Sequence, residues 1–240
     1  MELSIILPVY NESKIIRQNL ENINDFLQTL DIEYEVIIVN DGSTDDTLQQ
    51  TSLITEKHTH VISYTQNRGK GYAVNRGMTA AHGQYRLFMD MDLSTELAEI
   101  PKFLHCVRLG NCDICIGNRY STSLATQKKP WHRALFGKTF SLLSSICTGY
   151  QAEDFTCGFK IFSAKASDKI FPRQHIYGWA FDTELISIAH QQGLRIHQES
   201  IVWHHHNGSK VNFIRAIPDS LIDLFRICYW TVSKEYIKQI

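Results

Sequence analysis

The apolar run Tyr85-Arg86-Leu87-Phe88-Met89 closes on Asp90-Met91-Asp92. A strand's two-residue period points both carboxylates toward one face. Two hard anions side by side call for a cation. Mg²⁺ or Mn²⁺ suits them, because both take oxygen ligands and complete their shell with the phosphates of a bound substrate. An acidic strand-to-loop turn is the other reading of the tripeptide taken alone. The metal reading gains from two earlier strand-like runs that also end in polar clusters, Pro8-Val9-Tyr10-Asn11-Glu12 and Val39-Asn40-Asp41-Gly42-Ser43.

Clusters so far apart in the chain meet only if the elements between them return to one edge, and the first half has that alternation. Strand-like Leu3 to Val9 precedes a helical pattern with Ile16, Leu20, Ile23, Leu27 and Leu30 on one face, opened by Asn11 as N-cap. Tyr34 to Asn40 is a second strand, followed by a helix from Ser43, where Ser43 and Asp46 have capping-box spacing. His60 to Thr65 is a third strand, and Gly71 to His82 a helix stopped by Gly83. Tyr85 to Met89 and Cys112 to Asn118 are further strands. Such alternation implies β-α-β crossovers and a largely parallel sheet covered on both faces. Ligands of such sheets bind beyond the carboxyl ends of the strands, where all three polar clusters fall.

The second half is less regular. Lys129 to Thr148 reads as an amphipathic helix carrying Trp131, Leu135, Phe136, Leu142 and Leu143, Ala180 to Gln192 as a helix, and Arg195 to Trp203 as a strand. From Ile214 to Ile240 the spacing predicts a helix with Ile217, Leu221, Leu224, Phe225, Cys228 and Val232 on one face. Trp230 and Tyr229 beside Arg226 and Lys234 suit an interfacial helix. A helix packed on the protein's own sheet suits them equally.

At 240 residues with 43% hydrophobic and 20% charged residues, one substantial domain is expected. The net charge of −1 gives no case for nucleic-acid binding. Charge is nevertheless uneven. Between Ile114 and Ala152 there is no acidic residue, while Arg119, Lys128, Lys129, Arg133 and Lys138 are basic. The chain starts directly into a strand-like run with no export signal, and no run approaches the roughly 20 apolar residues of a bilayer span. A cytoplasmic protein is expected, and the six cysteines are expected as thiols, with Cys112 and Cys115 as buried strand residues.

Asn67-Arg68-Gly69-Lys70-Gly71-Tyr72, between a strand and a helix, resembles a phosphate-binding loop, since glycines let backbone amides approach an anion. It is not a dinucleotide fingerprint, because Val74 replaces the third glycine. Gly137-Lys138-Thr139 fails as a P-loop end, because His132 stands where the first glycine is required. In His204-His205-His206, adjacent strand residues point to opposite faces, which makes a shared metal improbable.

Together the residues build a resemblance. Pro8 to Glu12, Asn40-Asp41-Gly42-Ser43, Asn67 to Gly71, Asp90-Met91-Asp92, Gly117-Asn118-Arg119-Tyr120, Asp154-Phe155-Thr156-Cys157-Gly158-Phe159-Lys160 and Gly208-Ser209-Lys210 occur in the order found in glycosyltransferase family 2. More narrowly, the set is similar to the polyprenyl-phosphate sugar synthases, the dolichyl-phosphate glucosyltransferases and mannose synthases. The match runs from about residue 3 to 212.

The resemblance implies an α/β GT-A fold, a Rossmann-like three-layer α/β/α sandwich with a mostly parallel central sheet. Residues 1–212 would form the catalytic domain and 213–240 a C-terminal amphipathic helical extension. It implies transfer of a hexose from a nucleotide diphosphate sugar to a polyprenyl or dolichyl phosphate with inversion, aided by Mg²⁺ or Mn²⁺ at Asp90 and Asp92. Pro8, Tyr10, Glu12 and Asp41 would hold the nucleoside, with Lys70 and Met91 also among the donor contacts. Arg119 and Lys210 would grip phosphates, Arg119 that of the acceptor. A phosphate monoester is already anionic, so no general base is required and Asp154 positions other groups. A saccharide hydroxyl acceptor would instead make Asp154 the candidate base. A non-catalytic nucleotide-sugar-binding module is the third reading.

His204 stands where mannose synthases carry arginine, and Ser94 where they usually carry glutamine. Asn67 to Gly71, Thr156 to Lys160 and Trp179-Ala180-Phe181-Asp182 look more like the glucosyl branch, which uses UDP-glucose. The acid-free segment suits a phosphate-headed lipid at an anionic surface, which would place the protein peripherally on the cytoplasmic face of a membrane. A solvated basic face is the competing explanation.

Overall fold

A computed structural model describes residues 1–53, 57–120, 131–204 and 213–238, and of 131–136 and 213–217 the backbone alone. In chain order the elements are β1 (Leu3–Val9), α1 (Ile16–Gln28), β2 (Tyr34–Asp41), α2 (Thr47–Ser52), β3 (Thr59–Tyr64), α3 (Lys70–Ala80), β4 (Tyr85–Met89) and α4 (Glu99–Arg108). There follow β5 (Ile114–Asn118), α5 (Trp131–Thr148), β6 (Phe159–Ser163), α6 (Ala164–Ile170), α7 (Phe181–Gln191), β7 (Ile196–Ser200) and α8 (Phe213–Val232).

The strands form one seven-stranded sheet in the order β3-β2-β1-β4-β6-β5-β7. Only β6 runs against its neighbours β4 and β5. The strands are apolar on both sides because both faces are covered. Leu3, Ile5, Leu7 and Val9 of β1 share a core with Ile16, Leu20, Ile23 and Leu27 of α1 and with Ile100, Phe103 and Leu104 of α4. Ile6 faces the other way, into a core with Val74 and Met78 of α3, Phe181 and Leu185 of α7, and Leu224 and Ile227 of α8. This is the expected three-layer sandwich.

The reversal of β6 matters for the site. Phe159 pairs with Met89, so the loop that enters β6, residues 154–158, lies on the same edge as the loops that leave the other strands. β1 lies between β2 and β4, so successive connections depart from it in opposite directions and open a crevice at its carboxyl end.

Several local expectations are corrected. Asn11 does not cap α1, which begins at Ile16 with no side-chain cap. It adopts a left-handed φ of 55°, and its side-chain oxygen accepts the Thr44 N–H at 2.7 Å. Ser43 and Asp46 form no capping box. Helix α2 begins at Thr47, whose N–H is taken by Asp45, while Ser43 Oγ accepts from the backbone of Asn11. Hydrogen bonds from Thr47 and Ser13 outweigh the effect of burial and bring the Asp45 carboxyl down to about 2. In each case the polar side chain joins two loops rather than ending a helix, because the sheet brings those loops within reach.

Gly83 does not stop α3, which ends at Ala80 as Ala81 turns extended. A Cβ on Gly83 would lie 2.6 Å from the Ser4 nitrogen, so this glycine permits close approach to β1. The C-terminal helix ends at Val232, and Lys234 takes a left-handed φ of 56° before a short 3-10 turn. Its inward line is Ser220, Leu224 and Ile227, whereas Leu221, Phe225 and Val232 point outward, Phe225 being 77% exposed. At about 100° per residue the expected apolar face is therefore rotated by roughly a quarter turn from the core. All six cysteines are free thiols, and Cys112 and Cys115 are buried as expected.

Candidate active site

The carboxyl ends of β1, β2, β4 and β5 and the start of β6 converge on the same edge of the sheet. After β1, the Asn11 N–H donates to Ser43 Oγ and the Glu12 N–H to Thr47 Oγ1 at 2.7 Å, tying that loop to the one after β2. Pro8 is half-buried beside Val39, and Tyr10 is 38% exposed at the mouth. At the end of β2, buried Asp41 uses both carboxylate oxygens on the loop before α3. Oδ1 accepts the Arg68 N–H at 2.8 Å and Oδ2 the Gly69 N–H at 3.0 Å. Gly42 allows this crossing, since with φ at +66° a Cβ there would lie 2.6 Å from the Asn67 nitrogen. Asp41 thus shapes the Asn67–Gly71 loop.

At the end of β4, exposure alternates as the sequence suggests. Asp90 and Asp92 are partly exposed, while Met91 is buried 3% exposed in the α1 and α4 core with its carbonyl accepting from Asn19. Asp92 Oδ1 accepts the Ser94 N–H at 2.9 Å. Asp90 Oδ1 takes the Lys70 ammonium. A Cβ on Gly158 would fall 2.1 Å from Asp90 Oδ2, so the start of β6 makes room for that carboxylate by having no side chain there.

Among the described residues no group of three His, Cys, Asp or Glu could hold a metal ion. Asp90 and Asp92 are hard oxygen donors, and no donor among the described residues occupies Oδ2 of either. Those two carboxylates are the kind of oxygen donor that Mg²⁺ or Mn²⁺ would take, and Asp90 and Asp92 are the residues that would hold such an ion.

On the far side of β6, Arg119 follows β5 and meets Asp154 in a bidentate pair, Nε to Oδ2 at 2.6 Å and Nη2 to Oδ1 at 2.7 Å. Nη2 also donates to Thr156 Oγ1 at 2.9 Å, and the guanidinium lies 5.8 Å from the Trp203 ring centre. Asp154 is 1% exposed and the Arg119 side chain 16%. Burial works against the guanidinium's charge, but Asp154 more than compensates and the net shift is upward, so Arg119 stays charged. Asn118 adds a hydrogen bond to Glu153 at 2.7 Å. With strands about 4.8 Å apart, Asp41 on one side and Arg119 on the other each lie roughly 10 Å from Asp90. That row accommodates an extended ligand with the carboxylates at its middle.

Sequence reasoning gave no role to Lys160 or Asp182. Lys160 is fully buried in β6, donating to the Cys157 carbonyl at 2.7 Å and to Asp182 at the start of α7. Burial raises the Asp182 carboxyl, opposed by Lys160 and Lys70. A lysine inside Phe159-Lys160-Ile161-Phe162 was the available signal, since an unpaired charge has no place in such a strand. Glu184, pushed up to about 8 by burial, accepts the N–H groups of His175 and Ile176 and so holds the turn whose Tyr177 carbonyl accepts from Gly71. Gly208, Ser209 and Lys210 lie outside the described residues, as do His205 and His206. His204 pairs with Glu96 at 2.7 Å.

Comparison with known proteins agrees with this architecture. The family model described as glycosyl transferase family 2 matches residues 4–171. The dolichyl-phosphate beta-glucosyltransferase of Saccharomyces cerevisiae is 32% identical over 229 residues, covering 87% of this chain and 69% of that protein. The protein of the same name from Dictyostelium discoideum is 30% identical over 239 residues, covering 94% and 73%. Among solved structures, glucosyl-3-phosphoglycerate synthase from Mycobacterium tuberculosis, crystallised with Mn²⁺ and UDP-glucose, superposes with a TM-score of 0.70. It has 18% identity, over 95% of this chain and 79% of that one, and so speaks to the fold, which is GT-A. The family match, extending across the edge loops that carry Tyr10, Asp41, Asp90, Arg119 and Asp154, establishes that the chain belongs to glycosyl transferase family 2.

Proposed function

We propose that the protein transfers glucose from UDP-glucose to a polyprenyl phosphate of the dolichyl type, with inversion at the sugar and with Mg²⁺ or Mn²⁺ bound at Asp90 and Asp92. The relatives' shared name, dolichyl-phosphate beta-glucosyltransferase, supports the sugar and the acceptor. The observation that carries the reading is the Arg119–Asp154 pair. Asp154 is buried and spends both oxygens on Arg119, so it is poorly placed to accept a proton from a sugar hydroxyl. A phosphate acceptor already carries its negative charge and needs a cation instead. Arg119 supplies one, and its Nη1 makes no hydrogen bond among the described residues.

In this scheme Tyr10, Glu12 and the loop shaped by Asp41 receive the nucleoside, with Pro8 setting the exit of β1. The bound metal ion supplies Lewis-acid stabilisation of charge on the departing nucleotide. Arg119 orients the acceptor phosphate toward the anomeric carbon, and Asp154 holds Arg119 in plane. Lys210 is assigned to phosphate binding on sequence grounds. Residues 1–212 constitute the catalytic unit and 213–240 the extension that docks it.

Docking is assigned to a lipid surface. No helix among the described residues is long and apolar enough to cross a membrane. Instead α5 and α8 pack together and turn Leu142, Ile146, Ile222, Phe225, Tyr229 and Val232 outward, with Lys138, Arg226 and Lys234 exposed nearby. Apolar side chains flanked by cations suit the anionic cytoplasmic leaflet. Phe225→Glu with Val232→Glu is expected to reduce co-sedimentation with anionic phospholipid vesicles by about tenfold or more, since each buried side chain contributes about 1.5–3 kcal/mol. Unchanged sedimentation would exclude this surface as the lipid contact.

The activity is tested by incubating purified protein with polyprenyl phosphate, Mn²⁺ or Mg²⁺, and either UDP-glucose or GDP-mannose. Glucose is expected in the lipid phase from UDP-glucose, with loss of transfer on chelation. Transfer confined to free saccharide or water would overturn the lipid acceptor, and efficient mannose transfer would overturn the donor.

A further inference from the structure

The Lys70 ammonium sits on Asp90, on the carboxylate that a metal ion needs. Its position is built by the backbone around it. The Gly69 N–H is fixed on Asp41 and the Gly71 N–H on the Tyr177 carbonyl, so Lys70 enters α3 from a clamped loop. Its side chain is 23% exposed and that of Asp90 40%, which leaves the contact partly desolvated. A second anion lies deeper. Buried Asp182, held by fully buried Lys160, acts on Lys70 as well.

The charges set a condition on loading. Asp90, Asp92 and Asp182 against Lys70 and Lys160 leave the cluster one negative charge in excess. A bare divalent ion would make it net positive in a partly dry site. The doubly charged diphosphate of a nucleotide sugar returns it to its starting charge.

We propose that Lys70 is an internal counter-ion that occupies the metal's place on Asp90 in the unloaded protein and transfers to the donor diphosphate when metal and nucleotide bind together. The inference rests on the metal-dependent reading of Asp90 and Asp92 given above and deepens it by adding an order of events. Bare metal binds poorly because it must displace the ammonium with nothing to receive it. Nucleotide supplies the receiving phosphate. By linkage, metal and nucleotide therefore raise each other's affinity, and Lys70 carries part of that coupling.

The test is titration of the full chain with Mn²⁺, following free ion by electron paramagnetic resonance, with and without UDP. Lys70→Met is expected to tighten Mn²⁺ binding in the absence of UDP by about tenfold, the scale of a close charge pair, and to weaken it in the presence of UDP. This opposition of signs is what a merely structural lysine would not produce. Lys70→Arg keeps the cation and should retain the weak binding of bare Mn²⁺. Bare-metal affinity that is unchanged or lower in Lys70→Met, or equally raised in Lys70→Arg, would overturn the inference. Failure of the metal assignment itself has a different signature, Mn²⁺ binding that survives Asp90→Ala. The measurement reads ion binding and is independent of turnover.

Discussion

Asp90→Asn is expected to lower kcat/KM for glucosyl transfer by about 10³-fold, the loss seen when one preorganised electrostatic contact to developing charge is removed. The substitution keeps the shape of the side chain against Gly158, where the carboxylate is seated without a Cβ in its way. It removes one of the two hard anionic donors proposed for the metal and leaves Lys70 facing a neutral amide. Folding should be little affected, because Asp90 is partly exposed. Initial rates across a Mn²⁺ series, together with a thermal melt, distinguish the cases. A variant that melts normally and transfers glucose at the parent rate would remove Asp90 from the chemistry.

The second large effect is expected at Arg119 and Asp154, where stability and activity separate. Asp154→Asn leaves a buried guanidinium without its counter-charge, and breaking one side of such a pair costs about 3–5 kcal/mol. At about 2–4 °C per kcal/mol for a domain of this size, a fall in Tm of roughly 6–20 °C follows. Replacing both partners, Arg119→Met with Asp154→Leu, should recover most of that loss, since matched apolar side chains carry no desolvation cost. Activity should not return. Arg119→Met and the double variant are both expected to lose about 10²-fold or more in kcat/KM, expressed mainly in the acceptor. Were Asp154 a general base, Asp154→Asn would lose 10²–10⁴-fold in the folded fraction and erase the acid limb of the pH–rate profile, about the range assigned to general base catalysis. An unchanged profile in the folded variant supports attack by phosphate.

The candidate site was legible in the sequence to the extent that it depends on strand ends. Tyr10 and Asp90 follow, and Asp41 ends, a run that forms a strand with a parallel neighbour, and parallel strands joined by crossovers deliver their carboxyl ends to one edge whatever the details of packing. The alternating burial of Leu3, Ile5 and Leu7 against Ile6 was likewise implied by a continuous apolar run. Helix caps were read less well. Asn11 and Ser43 have the side chains of cap residues, and at that range nothing in the sequence distinguishes capping a helix from bridging to another loop.

From the residues themselves came the α/β class, the edge on which ligands bind, the pair of carboxylates suited to a hard cation, and the cationic stretch around Arg119. Each depends on periodicity or composition, which neighbouring residues settle among themselves. Tertiary structure alone decided that β6 runs backward and carries Asp154 to Arg119, that Lys70 rests on Asp90 with Asp182 and Lys160 behind it, and that α8 faces the core through Leu224 and Ile227 while Phe225 looks outward. Those are choices of partner between residues distant in the chain. They are made by which charges can be buried together and which helix face meets the sheet first, and both are fixed only when the layers close.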